Sequence, residues 1–171
     1  MRKNSAKVAV GAGLPEVYPR LWRFCLVLCK DRALADDLAQ STCARALEKA
    51  NQFTPGTHLD RWLFTMARRI WLNEQRAGKI RQGRGLVPVE DADIPDHSSG
   101  PETNILAREV FTMIEALPEG QRITALLVYV EGQSYREAAE ILDIPIGTVM
   151  SRLSTVRKTI NGQMTRTKDE G

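Results

Sequence analysis

Between residues 144 and 168 the chain carries Arg152, Arg157, Lys158, Arg166 and Lys168 and not one acid. Cations gathered on one stretch and interleaved with Thr148, Ser151, Ser154 and Thr155 suit contact with phosphate oxygens and base edges. A second concentration lies at 61–84, where Arg61, Arg68, Arg69, Arg76, Lys79, Arg81 and Arg84 stand against Glu74 alone. Between the two, 86–102 holds Glu90, Asp91, Asp93, Asp96 and Glu102 without a Lys or Arg. The net charge of +3 is small, so it is the segregation that implies two contact surfaces for a polyanion. Covalent chemistry is poorly supplied. His58 and His97 are the only histidines, and no nucleotide loop or nucleophile–base pairing stands out. Cys25 and Cys29 have a spacing that could hold a metal, but no further ligands lie near, and they read as buried thiols. No enzyme, metal site or cofactor is expected.

Helical periodicity dominates, and no run of strict alternation marks a strand. A first helix is expected over 15–30, with Leu21, Phe24, Cys25 and Leu28 on one face, and residues 1–13 read as a flexible arm. A second, over 33–51, places Leu38, Ala39, Cys43, Ala46 and Leu47 together. Phe53-Thr-Pro-Gly-Thr57 ends it. A third, over 58–77, carries Leu59, Trp62, Leu63, Met66 and Ile70 with a second stripe of Phe64, Ala67 and Trp71, as suits a helix central to its bundle. The spacing of Trp62 and Trp71 favours core packing over base stacking. Gly83, Gly85, Gly100, Pro88, Pro95, Pro101 and Ser98-Ser99 mark 79–103 as a flexible linker, which if extended would reach on the order of 75 Å. Four more helices are expected beyond it. The fold class is therefore all-α, two small helical bundles spanning 14–78 and 104–166.

The densest local signal lies at 134–158. Ser134-Tyr-Arg-Glu137 is a capping box, in which Ser134 accepts from the amide of Glu137 while the Glu137 side chain reaches back. Ala138-Ala139 is small enough for a close crossing, and Asp143-Ile-Pro-Ile-Gly147 makes a short turn. A helix from about Thr148 then sets Val149, Leu153, Val156 and Ile160 inward and Thr148, Met150, Ser151, Arg152, Arg157 and Lys158 outward. This is the physical pattern of a helix-turn-helix, whose second helix enters the major groove.

These segments carry a resemblance. Leu117-Pro-Glu-Gly-Gln-Arg122, Glu131-Gly-Gln-Ser-Tyr-Arg-Glu-Ala-Ala139 and Ile144-Pro-Ile-Gly-Thr-Val-Met-Ser-Arg-Leu153 resemble domain 4 of the extracytoplasmic-function (ECF) sigma factors of RNA polymerase. Ala35-Asp-Asp-Leu-Ala-Gln-Ser-Thr42, Phe53-Thr-Pro-Gly-Thr57 and Trp62-Leu-Phe-Thr-Met-Ala-Arg68 are similar to domain 2 of the same family, and the likeness covers about 14–162. It implies that Asp37 and Gln40 contact the β′ clamp helices of core polymerase. Asn51, Thr54, Thr57 and His58 would form a polar pocket for an opened −10 base, with Arg61, Arg68 and Arg69 on phosphates. The −35 element would be read by Thr148, Met150, Ser151 and Arg152, with Arg122, Tyr135, Arg136, Arg157 and Lys158 also on DNA. Promoter DNA, the polymerase β flap and an anti-sigma factor are further implied partners. Met150 stands where relatives often have Lys, and Asn73 where Asp is common, which leaves the promoter sequence open.

A sigma mimic that sequesters an anti-sigma factor without touching DNA is the alternative. The intact basic patches weigh against it, as the amino-terminal half weighs against a plain helix-turn-helix regulator. With no apolar run long enough to span a bilayer, no sustained apolar core in 1–13 and an odd number of cysteines, a cytoplasmic protein without membrane insertion is expected.

Overall fold

The computed structural model describes residues 2–82 and 112–169, with side-chain burial over 5–78 and 112–162. It falls into two compact units, 1–94 and 95–171. Every regular element among the described residues is helical.

The first unit is built from α1 (Arg2–Cys29), α2 (Arg32–Glu48) and α3 (Leu59–Gln82), with a short 3-10 turn at Ala50–Gln52 before the loop that leads into α3. Leu21, Phe24, Cys25 and Leu28 of α1, Leu38, Ala39 and Ala46 of α2, and Leu63, Phe64 and Ala67 of α3 are buried together. The Phe24 and Phe64 rings stack 4.8 Å apart, joining α1 to α3. Arg20 pairs with Asp60 at 3.0 Å and lies over the Phe64 ring, so the same two helices are also tied at their polar edge. Trp22 Nε1 donates to Asp36 Oδ1 at 2.6 Å and ties α1 to α2. Asp31 caps α2 by accepting from the Leu34 amide. The buried thiols expected at Cys25 and Cys29 are present, and burial holds the Cys25 thiol far above the usual thiol range.

Residues 1–13 are not a loose arm. The helix begins at Arg2 and runs through Pro15 and Pro19, with Ala6 and Val10 buried on the face that later carries Leu21 and Phe24. Both prolines are exposed, so the carbonyls they leave unpaired stay open to water. Gly13 sits where α1 passes the start of α3: a Cβ there would lie 2.6 Å from Leu59 Cδ2. At its other end α3 runs on to Gln82, so 79–82 are helical rather than linker. The rest of the expected linker, 83–103, lies outside the described residues, as do Ile105 and Val110. Leu47, expected in the core, is 47% exposed.

In the second unit a helical segment over 112–115 precedes α4 (Glu119–Ala125), which widens into a π-type turn at Leu126–Val130. The Glu131 amide reaches the Leu126 carbonyl across that turn at 2.9 Å. The helices α5 (Tyr135–Leu142) and α6 (Ile146–Asp169) follow. Ile114, Leu117, Ala125 and Val156 form one buried cluster, with Ile160 packed against it.

Burial of Val10 is the sharpest consequence of the longer α1. Val10→Ala should lower the unfolding free energy by about 2 kcal/mol, read from urea denaturation of the full chain. A free arm would leave the midpoint unchanged.

Candidate nucleic-acid and polymerase interfaces

Local sequence builds the helix-turn-helix. Ser134 Oγ accepts from the Glu137 amide at 3.2 Å, and Glu137 Oε2 accepts from the Ser134 amide at 2.8 Å, so both halves of the expected capping box form. Ala138 and Ala139 are buried. Asp143 ends α5 in the left-handed region at φ 51°, a conformation its short polar side chain tolerates. Pro145 then accepts from the Thr148 amide as α6 opens two residues earlier than the spacing suggests. Val149, Leu153 and Val156 are buried, and Ile160 is partly so.

On the outer side of this pair Arg136, Met150, Ser151, Arg157 and Lys158 are exposed, while Tyr135 and Thr148 are half-buried. Arg157 Nη1 is hydrogen-bonded to the Tyr129 hydroxyl at 3.2 Å and the Tyr135 hydroxyl at 3.5 Å. Tyr129 was missed by the sequence reading. The π-type turn that aims it outward leaves no signature in apolar spacing.

Two of the expected DNA contacts are less open to solvent than Arg136, Arg157 and Lys158. Arg122 is 4% exposed, and its Nη1 donates to the Leu117 carbonyl at 2.9 Å, which stitches the start of α4 to the preceding turn. Arg152, expected to help read the −35 element, is half-buried and donates to the Gly120 carbonyl at 3.3 Å. A Cβ at Gly120 would lie 2.9 Å from Arg152 Cζ, so the guanidinium rests directly on that glycine.

In the first unit α2 separates its adjacent acids. Asp36 faces inward to Trp22, whereas Asp37 is exposed, and Gln40 is exposed beside buried Leu38 and Ala39. Leu34, Asp37, Ser41, Ala44 and Leu47 are exposed at helical spacing, so α2 presents a continuous stripe with an apolar residue at either end.

Asn51, Thr54, Thr57 and His58 are all exposed along the loop before α3. The loop is held tightly. The Thr57 hydroxyl donates to the Thr54 carbonyl at 2.7 Å, Gly56 adopts φ 87°, and buried Phe53 packs on Trp62 with ring centres 5.3 Å apart. Next to it a groove of about 760 Å³ runs between the end of α2 and α3, bordered by Arg45, Lys49, Trp62, Arg69 and Asn73. Of the expected phosphate holders only Arg69 borders this groove, whereas Arg61 and Arg68 are half-buried elsewhere on α3. Arg45 and Lys49 were not singled out from the sequence, though their four-residue spacing at the end of α2 puts both on one side. Trp62 and Trp71 are half-buried, and the Trp71 indole nitrogen is buried without a hydrogen-bond partner.

Comparison with known proteins agrees in both units. Residues 16–80 match the family model "Sigma-70 region 2" and residues 107–160 match "Sigma-70, region 4". The chain is 32% identical over 148 residues to the ECF RNA polymerase sigma factor EcfG of Rhodopseudomonas palustris, covering 84% of this chain and 78% of that one. It is 34% identical to the ECF RNA polymerase sigma factor SigC of Mycobacterium tuberculosis, over 82% of this chain and 75% of the relative. Among solved structures it superposes on the sigma factor RpoE of Bartonella quintana, determined with the anti-sigma factor NepR. That match has a TM-score of 0.72 and 27% identity, covering 91% of this chain and 96% of that one. Two region models in chain order, on two helical units with the helix-turn-helix in the second, identify this chain as a member of the ECF family of RNA polymerase sigma factors.

Proposed function

We propose that this chain joins core RNA polymerase in the cytoplasm and directs it to promoters. The exposed stripe of α2 around Asp37 and Gln40 docks on the β′ clamp helices. The loop at 51–58 receives an opened −10 base, and the basic groove beside it carries the strand. The second unit rests on the β flap and lays α6 along the −35 element. What carries this reading is the pairing, in one chain, of an exposed recognition helix with an exposed, amphipathic α2. A protein working on DNA alone has no use for the second surface. The Bartonella relative's complex supports a further partner, an anti-sigma factor that occupies these surfaces until released.

Run-off transcription with purified core polymerase and source genomic fragments, together with co-elution of chain and core, tests the reading. New discrete starts with co-elution support it. Failure to bind core at low salt overturns it in favour of a mimic that only engages an anti-sigma factor. Asp37→Lys should weaken core association about tenfold or more, because it puts a cation where the stripe carries an acid.

The two kinds of cation in the second unit separate cleanly. Lys158→Ala should reduce the slope of log affinity against log salt by about 0.9, measured with the holoenzyme on promoter DNA. Arg122→Ala should leave that slope alone and instead lower stability by about 1–3 kcal/mol in denaturant unfolding, since it removes a buried hydrogen bond.

A further inference from the structure

The amino end of α6 presents an exposed apolar pair. Ile146 and Met150 stand one turn apart, 44% and 49% exposed, clear of the stripe of Val149, Leu153 and Val156 that faces the core. Gly147 and Ser151 are the other exposed residues of that end, and none of the four is charged. The polar groups nearby are engaged with backbone carbonyls. Ser151 Oγ donates to the Thr148 carbonyl at 3.1 Å, Thr155 Oγ1 to the Ser151 carbonyl at 3.1 Å, and Arg152 to the Gly120 carbonyl at 3.3 Å. Exposed cations stand around this end, Arg136 on α5 and Arg157 and Lys158 two turns further along α6, while the exposed acids Glu140 and Asp143 lie on the Ile146 side.

An apolar spot with cations on the Met150 side is complementary to a particular feature of duplex DNA. The 5-methyl group of thymine is the apolar mark that a base pair presents in the major groove, and it lies between two rows of phosphates. The unbranched thioether of Met150 can adapt to a methyl group more readily than a rigid side chain can.

We propose that Met150, together with Ile146, reads thymine methyl groups in the upstream promoter element, so that this chain selects its site there by apolar contact rather than by charged hydrogen bonds. The proposal rests on the DNA-reading role of α6 stated above and names the chemistry of that reading. Cations at the edge of the surface grip phosphates whatever the sequence, and the apolar end discriminates.

Replacing thymine by deoxyuridine removes the methyl group and leaves every base-pairing atom in place. The test uses holoenzyme assembled from the full chain and core polymerase, on a promoter fragment recovered by run-off transcription. Each thymine upstream of the −10 region is exchanged for deoxyuridine in turn, and initiation is measured at half-saturating enzyme. Initiation should fall about fourfold at one or two positions, the factor expected for one buried methyl group. Met150→Ala holoenzyme should no longer distinguish the two templates there, while still co-eluting with core. Equal initiation from thymine and deoxyuridine templates at every position overturns the proposal, and discrete starts from the unmodified fragment leave the sigma-factor reading standing. An undiminished thymine preference in Met150→Ala also overturns it, and would assign the exposed apolar end to a protein partner. No starts from any fragment would be the failure of the parent reading, and this one falls with it.

Discussion

The stacked rings of Phe24 and Phe64 pin α1 to α3, and the Arg20–Asp60 ion pair beside them fixes how the two helices slide past each other. With α2 held against α1 by the bond from Trp22 to Asp36, each helix of this bundle turns one stripe inward and leaves the opposite one to solvent. That partition decides what the unit can offer a partner. Turning α2 by one residue, about 100°, would carry Asp37 toward the core in place of Leu38. The exposed stripe is thus a by-product of core packing, and its rigidity comes from the same contacts. Docking on such a surface loses little conformational freedom, because the backbone that carries Asp37 and Gln40 is already fixed.

Most of the architecture was legible where it depends on neighbours in sequence. The capping box at Ser134 and Glu137, the turn at Asp143, the core stripe of α6 and the buried thiols all follow from local spacing. The failures have a common cause. Arg122 and Arg152 looked like free cations because no sequence pattern says that a guanidinium will fold back on the carbonyl of Leu117 or Gly120. Residues 1–13 looked like an arm because they lack a sustained apolar core, yet Ala6 and Val10 are buried by packing within the bundle. Leu47 looked like core because it was placed on one face with Ala46, yet it falls on the exposed stripe with Leu34, Asp37, Ser41 and Ala44. Composition set the two basic regions correctly in sequence, and only the fold could say which cations remain on the surface.

That sorting of cations bears on how a small sigma factor divides affinity from specificity. Each phosphate contact adds sequence-blind, salt-sensitive attraction. With Arg122 buried and Arg152 half-buried, the second unit has fewer fully exposed cations than its composition advertises. Weak attraction is no handicap for a domain carried to DNA by a large enzyme, since tethering raises its effective concentration near the site to the millimolar range. A more cationic recognition helix would hold any DNA the polymerase touched and would slow its release from wrong sites. On the proposed reading, cations at the edge of the surface and an uncharged end of α6 would let the polymerase supply the affinity while the helix supplies the choice.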